Sequence, residues 1–150
     1  MLVYRICRRQ FAALDGEGAR RFGGRWNEPG APVVYTSSSA ALAALELLVH
    51  ITPAEAPEDL VLLTIEIPDN AAGARLDRGR LPGDWASAPG DSRLRALGMD
   101  WLERGETLYL QVPSSPVPEE LNVLLNPAHR DFGRVRVVAQ RAFTFDPRLR

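Results

Sequence analysis

The sequence predicts a mixed α/β fold in one domain, and three observations carry that prediction. Strand-like segments are interspersed with two helical patterns, residues 59–67 place Val61, Leu63, Ile65 and Ile67 on one face, and 150 residues with 45% apolar content suit one core.

The elements follow in chain order. Residues 2–6 have the length and alternation of a strand, and the polar segment 8–24 has room for one or two helical turns around 11–14. Gly16, Gly18, Gly23 and Gly24 do not match GxGxxG, so no phosphate cradle is expected there. Residues 32–36 read as a short buried strand. One of Ser37, Ser38 and Ser39 then caps a helix running to about His50, with Pro53 beyond its end. Leu42, Leu45, Leu48 and Val49 form its apolar stripe, and Glu46 lies on a flank of small residues, four positions before His50.

The strand at 59–67 stops at Pro68, and 69–90 reads as a short strand at 74–76 followed by an irregular loop bearing Trp85. Ser92 opens a helix to about Arg104, with Leu94, Leu97 and Trp101 at core spacing and Gly105 as C-cap. Residues 107–112 form another strand. Three prolines in six residues then hold Ser114 and Ser115 in a stiff extended turn, followed by a short amphipathic piece and a stop at Asn126-Pro127. A last strand or pair of strands covers 135–145. Its arginines alternate with apolar residues, as on a solvated strand face.

Composition removes several chemistries. All 18 basic residues are arginine, so there is no Schiff-base lysine and no phosphate-loop lysine. A net charge of -1 gives no global drive toward nucleic acid or an anionic membrane. One cysteine and two histidines are too few for the usual structural zinc sets, and no metal is expected. No apolar run reaches membrane-spanning length and Arg5 interrupts the first apolar stretch, so a cytoplasmic protein without membrane attachment is expected. Cys7 has no activating context, no GxSxG elbow is present, and His129 in NPAHRDF reads as turn chemistry.

The stretch 23–50, GGRWNEPGAPVVYTSSSAALAALELLVH, is different in kind. It delivers Arg25, Trp26 and Asn27 from a glycine turn, ends a strand at Tyr35, and carries one acid, Glu46, inside an alanine- and leucine-rich helix. With Ser114 this supplies a guanidinium, an aromatic hydroxyl, a small hydroxyl and a carboxylate, a set that fits a nucleotide-like ligand. Each residue also has a plainer reading: an internal ion pair for Arg25, a core ring with a satisfied hydroxyl for Tyr35, turn chemistry for Ser114 and a solvated flank charge for Glu46.

Three ordered motifs, GGRWNEPG, VVYTSSSAALAALE and VPSSPVPEELNVLLNPAHRDF, make the chain resemble the RES-domain family, the toxin half of certain bacterial type II toxin-antitoxin pairs. The resemblance implies one RES domain over 1–150, with an ADP-ribosyltransferase-like fold whose split mixed sheet and flanking helices form an NAD-binding cleft. It implies NAD as a substrate rather than a cofactor, cleaved at the nicotinamide–ribose bond so that NAD depletion arrests growth. ADP-ribosyl transfer to a macromolecule and a non-catalytic partner-binding module are the alternatives. Carried over by motif, the naming residues fall on Arg25, Glu46 and Ser114, and Tyr35 on an NAD-contacting position. In this reading Arg25 pairs with the diphosphate, Glu46 faces the ribose, Ser114 fixes a ribose or amide hydrogen bond, and the serine run, Ser38 included, receives phosphate at the helix start. The implied partner is an Xre-like helix-turn-helix antitoxin, through which any DNA contact is indirect.

Overall fold

The computed structural model describes residues 1–87 and 90–149. Its strands are β1 (Leu2–Arg8), β2 (Val34–Ser37), β3 (Leu60–Glu66), β4 (Gly73–Arg75), β5 (Tyr109–Pro113), β6 (Leu121–Leu125) and β7 (Arg136–Ala142). Its α-helices are α1 (Glu17–Phe22), α2 (Ala40–Leu48) and α3 (Ser92–Arg104). The strands form one sheet in the order β4-β5-β6-β2-β1-β3-β7, mixed because β4 runs parallel to β5 while the other described pairs are antiparallel.

The strands are joined unevenly. β1 pairs with β3 along its whole length, from Leu2↔Glu66 to Arg8↔Leu60, and β2 pairs with β6 from Val34↔Leu125 to Ser37↔Asn122. Between these two half-sheets the register holds one pair, Tyr4↔Ser37. The split sheet takes this form, and the parted strands leave room for a cleft.

Apolar side chains pack in two clusters. Val3, Leu63, Ile65, Ile67, Leu108 and Leu125 centre one, and Trp26, Leu94, Trp101, Leu110, Val112 and Leu124 the other. Successive side chains of a strand point to opposite faces, so Leu124 and Leu125 serve different clusters and β6 is covered on both sides. Full burial of each such leucine is worth about 1.5–3 kcal/mol. The helices are fixed by caps. Ser39 Oγ accepts from Leu42 N–H (3.0 Å) at the start of α2, and Asp91 Oδ1 accepts from Arg93 N–H (2.9 Å) at the start of α3, which ends on Gly105 at φ 60°.

Three elements depart from expectation. The piece after the proline turn is a central strand, β6, whose LNVLL lacks alternation because both of its faces are buried. The helical turn expected around 11–14 is a 3-10 turn slightly earlier, Arg9–Phe11, and the α-helical turns come later, as α1, which has no buried residue and is held by Glu17 against Arg20 and Arg21. Strand β2 reaches one residue past Thr36, to Ser37. The C-terminal strand is single, and every residue of β7 is exposed.

Candidate active site

A cleft of about 770 Å³ opens where β1 and β2 part, lined by Tyr4, Arg25, Tyr35, Ser37, Glu46, Ser115 and Asn122 among others. That size suits a small-molecule ligand of nucleotide dimensions.

The turn carrying Arg25 is built by its neighbours. Gly24 N–H donates to Asn27 O at 3.0 Å, and the fully buried Asn27 uses its amide nitrogen on the carbonyls of Ala19 (2.9 Å), Glu28 (3.1 Å) and Ala31 (3.1 Å). Tyr35 OH donates to Asn27 Oδ1 (2.6 Å) and accepts from Trp26 N–H (3.1 Å), while the Trp26 ring enters the second core. Gly24 must lack a side chain, since a Cβ there would meet the Tyr35 hydroxyl at 2.5 Å. Gly98 of α3 is constrained likewise, because its Cβ would lie 1.8 Å from Trp26 O. Tryptophan and asparagine are thus anchors, and Arg25 is the residue the turn presents.

Enclosure of the Tyr35 hydroxyl end pushes its phenol well above the ordinary value, with the Trp26 N–H and the nearby Arg25 charge pulling the other way. It remains a protonated donor to Asn27, and its ring borders the cleft. Arg25 is half-buried and makes no ion pair among the described residues; its Nη1 donates to the Trp85 carbonyl at 3.1 Å. Its remaining donors are open to a ligand.

Glu46 is held far more tightly. Its Oε1 accepts from Ser114 Oγ at 2.8 Å and from Asn122 Nδ2 at 2.5 Å, and Asn122 Oδ1 accepts from Ser37 Oγ at 2.8 Å. Ser114 in turn accepts from Val117 N–H at 3.3 Å. Register explains the convergence: Ser37 pairs directly with Asn122, and Asn122 with Val112, so Ser37 and Asn122 project from one face of the sheet. Among the described residues Glu46 Oε2 receives no hydrogen bond. The carboxylate therefore presents one fixed oxygen and one free oxygen to the cleft.

The structure brings Arg25, Tyr35 and Glu46 to one cleft and sets Ser114 behind it. Ser114 is fully buried, and its hydroxyl has the carboxylate as partner in place of a ribose or amide. Ser38 is exposed and does not line the cleft; alternation along β2 puts Ser37 on the side of Tyr35 instead. His50 is exposed at the rim with no bond to Glu46, and His129 closes a turn by accepting Asp131 N–H on Nδ1 (3.1 Å). Asn122 lies outside the residues the sequence singles out and Ser37 enters there only within the serine run; the pairing of β2 with β6 identifies both as parts of the carboxylate's setting. No group of three or more His, Cys, Asp or Glu side chains converges among the described residues.

Fold and cleft together define an α/β domain with a parted sheet and a site built on a single carboxylate. The RES domain model matches residues 2–146, and the chain belongs to the RES domain family. It is 40% identical to Toxin Res of Photorhabdus laumondii over 99% of this chain and 97% of that protein. It is 41% identical to the Prs ADP-ribosylating toxin of Sphingobium sp. over 91% of this chain and 86% of that one. The crystal structure of the Mycobacterium tuberculosis MbcT-MbcA toxin-antitoxin complex contains a chain that superposes with a TM-score of 0.76 at 25% identity, covering 95% of this chain and 84% of that chain. MbcT, named an NAD(+) phosphorylase, is also 56% identical over 36 residues, 23% of this chain and 19% of its own.

Proposed function

We propose that this chain is an NAD-consuming toxin that breaks the bond between the nicotinamide nitrogen and C1′ of the adjoining ribose. The observation that carries the reading is the Glu46 carboxylate, fixed on one oxygen by Ser114 and Asn122, in the same cleft as an Arg25 guanidinium free of any ion pair among the described residues. The bonding pair leaves with nicotinamide, whose ring was already positive, so departure needs no general acid. C1′ develops cationic character as in glycoside cleavage, and a preorganised carboxylate stabilises that charge. Glu46 Oε2 takes this role or holds the ribose hydroxyls, Arg25 forks onto the diphosphate, and the Tyr35 ring packs at the nicotinamide end. Ser114 and Asn122 position the carboxylate, and NAD enters as a substrate rather than as a resident cofactor.

Any acceptor that adds to C1′ and loses a proton completes the reaction. Water or phosphate gives NAD degradation, in line with the phosphorylase name of MbcT. Transfer to a protein has support in the longer match to the Prs ADP-ribosylating toxin. The partner is an antitoxin of the Xre-like helix-turn-helix kind, the site of action is the cytoplasm, and DNA contact passes through the antitoxin. The deciding experiment incubates purified protein with NAD, with and without phosphate and with cell lysate, following nicotinamide and ADP-ribose by mass spectrometry. Nicotinamide release without lysate is expected, and its dependence on phosphate names the acceptor. Release that needs lysate and leaves a protein heavier by one ADP-ribose moves the assignment to transferase. A folded, antitoxin-free sample releasing nothing under any condition overturns the enzymatic reading.

A further inference from the structure

Ser114 and Ser115 are consecutive, yet their hydroxyls serve different partners. Ser114 Oγ donates to Glu46, whereas Ser115 Oγ donates to the Ala86 carbonyl at 2.8 Å. The preceding carbonyl, Trp85 O, accepts from Arg25 Nη1 at 3.1 Å. Two adjacent peptide units sharing the Ala86 Cα are therefore taken by donors from two separate elements, both lining the cleft. The loop has further anchors: Trp85 N–H donates to Pro82 O (3.1 Å), Ser87 N–H to Asp84 O (3.0 Å), Asp84 pairs with Arg93 of α3 (2.9 Å), and the Trp85 ring packs on the second core. Among the described residues, Ser115 is the side chain that bonds to the Ala86 carbonyl.

A guanidinium on a flexible stem takes its direction from what its donors meet. For Arg25, among the described residues, that is the Trp85 carbonyl alone. Resting on the NAD-cleaving reading, we propose that Ser115 is a positioning residue for substrate binding: by fixing the Ala86 carbonyl it sets the Trp85 peptide and so aims Arg25 at the substrate diphosphate. The two serines of the SSP turn then divide the work. Ser114 acts on the carboxylate and on turnover, and Ser115 acts through Arg25 on affinity.

The test measures kcat and KM for NAD by nicotinamide release, together with equilibrium binding of ADP-ribose. Ser115→Ala raises KM and weakens ADP-ribose binding by about three- to tenfold with kcat nearly unchanged, the size expected for loss of one hydrogen bond. Ser115→Thr, which keeps the hydroxyl, restores both. Ser114→Ala lowers kcat instead. In an Arg25→Ala background Ser115→Ala has no further effect, because the residue it acts through is gone. Additive losses in that double variant, or a fall in kcat at unchanged KM, overturn the assignment, the first by showing that Ser115 touches the ligand itself. If wild type releases nicotinamide and binds ADP-ribose but Ser115→Ala matches it in both, only the role of Ser115 falls. If wild type does neither, the NAD reading falls and this assignment with it.

Discussion

Two charged groups of the cleft, Glu46 and Arg25, are held in opposite ways. Glu46 is gripped by side chains from β6 and from the turn after β5, with Ser37 of β2 behind them, whereas Arg25 rests, among the described residues, on a single backbone carbonyl of an irregular loop. The difference matches what each must do. A group that stabilises charge developing in a transition state gains from being fixed beforehand, because it then needs no reorganisation as the bond breaks. A group that grips a fully charged, flexible diphosphate needs only to be aimed at it, and one contact on the loop does that. The carboxylate side is built for turnover and the guanidinium side for capture.

The sharpest way to break this contrast is Glu46→Gln. Glutamine keeps an acceptor for Ser114 and Asn122 but removes the charge, so nicotinamide release is expected to fall by about 10³-fold or more with the melting temperature nearly unchanged. Undiminished release would take Glu46 out of the chemistry. Next comes Asn122→Ala, which removes a donor to a charged group and strands the Ser37 hydroxyl; kcat is expected to drop about 10²-fold with a smaller change in KM. Equal effects on a variant of the Arg25 side would erase the distinction.

Gly98→Ala attacks the other side through its scaffold. The new Cβ would lie 1.8 Å from Trp26 O, so α3 and the turn bearing Arg25 must separate. A loss of about 2 kcal/mol in urea unfolding is expected, with KM for NAD raised in the folded protein. Retention of wild-type stability would show that α3 does not brace that turn. The smallest effect concerns α1, which holds the Asn27 anchor through the Ala19 carbonyl. Hydrogen bonds from Arg20 and then Arg21 lower the Glu17 pKa from 4.5 to about 2. A depressed folded-state pKa stabilises above the unfolded value, so this contribution is complete above about pH 4.5 and is lost as pH falls through about 2. These side chains lie at the surface, where solvent screens them, and the contribution is small. Urea midpoints of wild type and Glu17→Gln should differ slightly at pH 6 and converge as pH falls below about 2; a gap independent of pH would refute the linkage.

How much of this was legible in the sequence follows from range. α3 announces itself by a local, one-sided apolar stripe, and β3 by Val61, Leu63 and Ile65 at every second position, although Leu60 and Leu62 of its other face are buried too. α1 does not, since six polar-faced residues held by exposed ion pairs leave no apolar stripe to read. Arg25, Tyr35 and Glu46 stand out as residue types ill-suited to plain scaffold, and the structure brings all three to the cleft. Asn122 was hidden because its meaning lies in a pairing with Ser37, 85 positions away, on a strand whose two buried faces erase alternation. The choice between Ser37 and Ser38 turned on where a four-residue strand ends, since one step reverses the face.

The single Tyr4↔Ser37 pair has a mechanical consequence. Within the sheet the two half-sheets are plates hinged at one residue pair, while the first apolar cluster bridges them from one face. Ser37 is half of the hinge and also the residue that orients the Asn122 amide toward Glu46. The hinge of the sheet and the orientation of the Asn122 amide thus meet in one residue, so a Ser37→Ala substitution is expected to disturb the carboxylate's setting without touching Glu46.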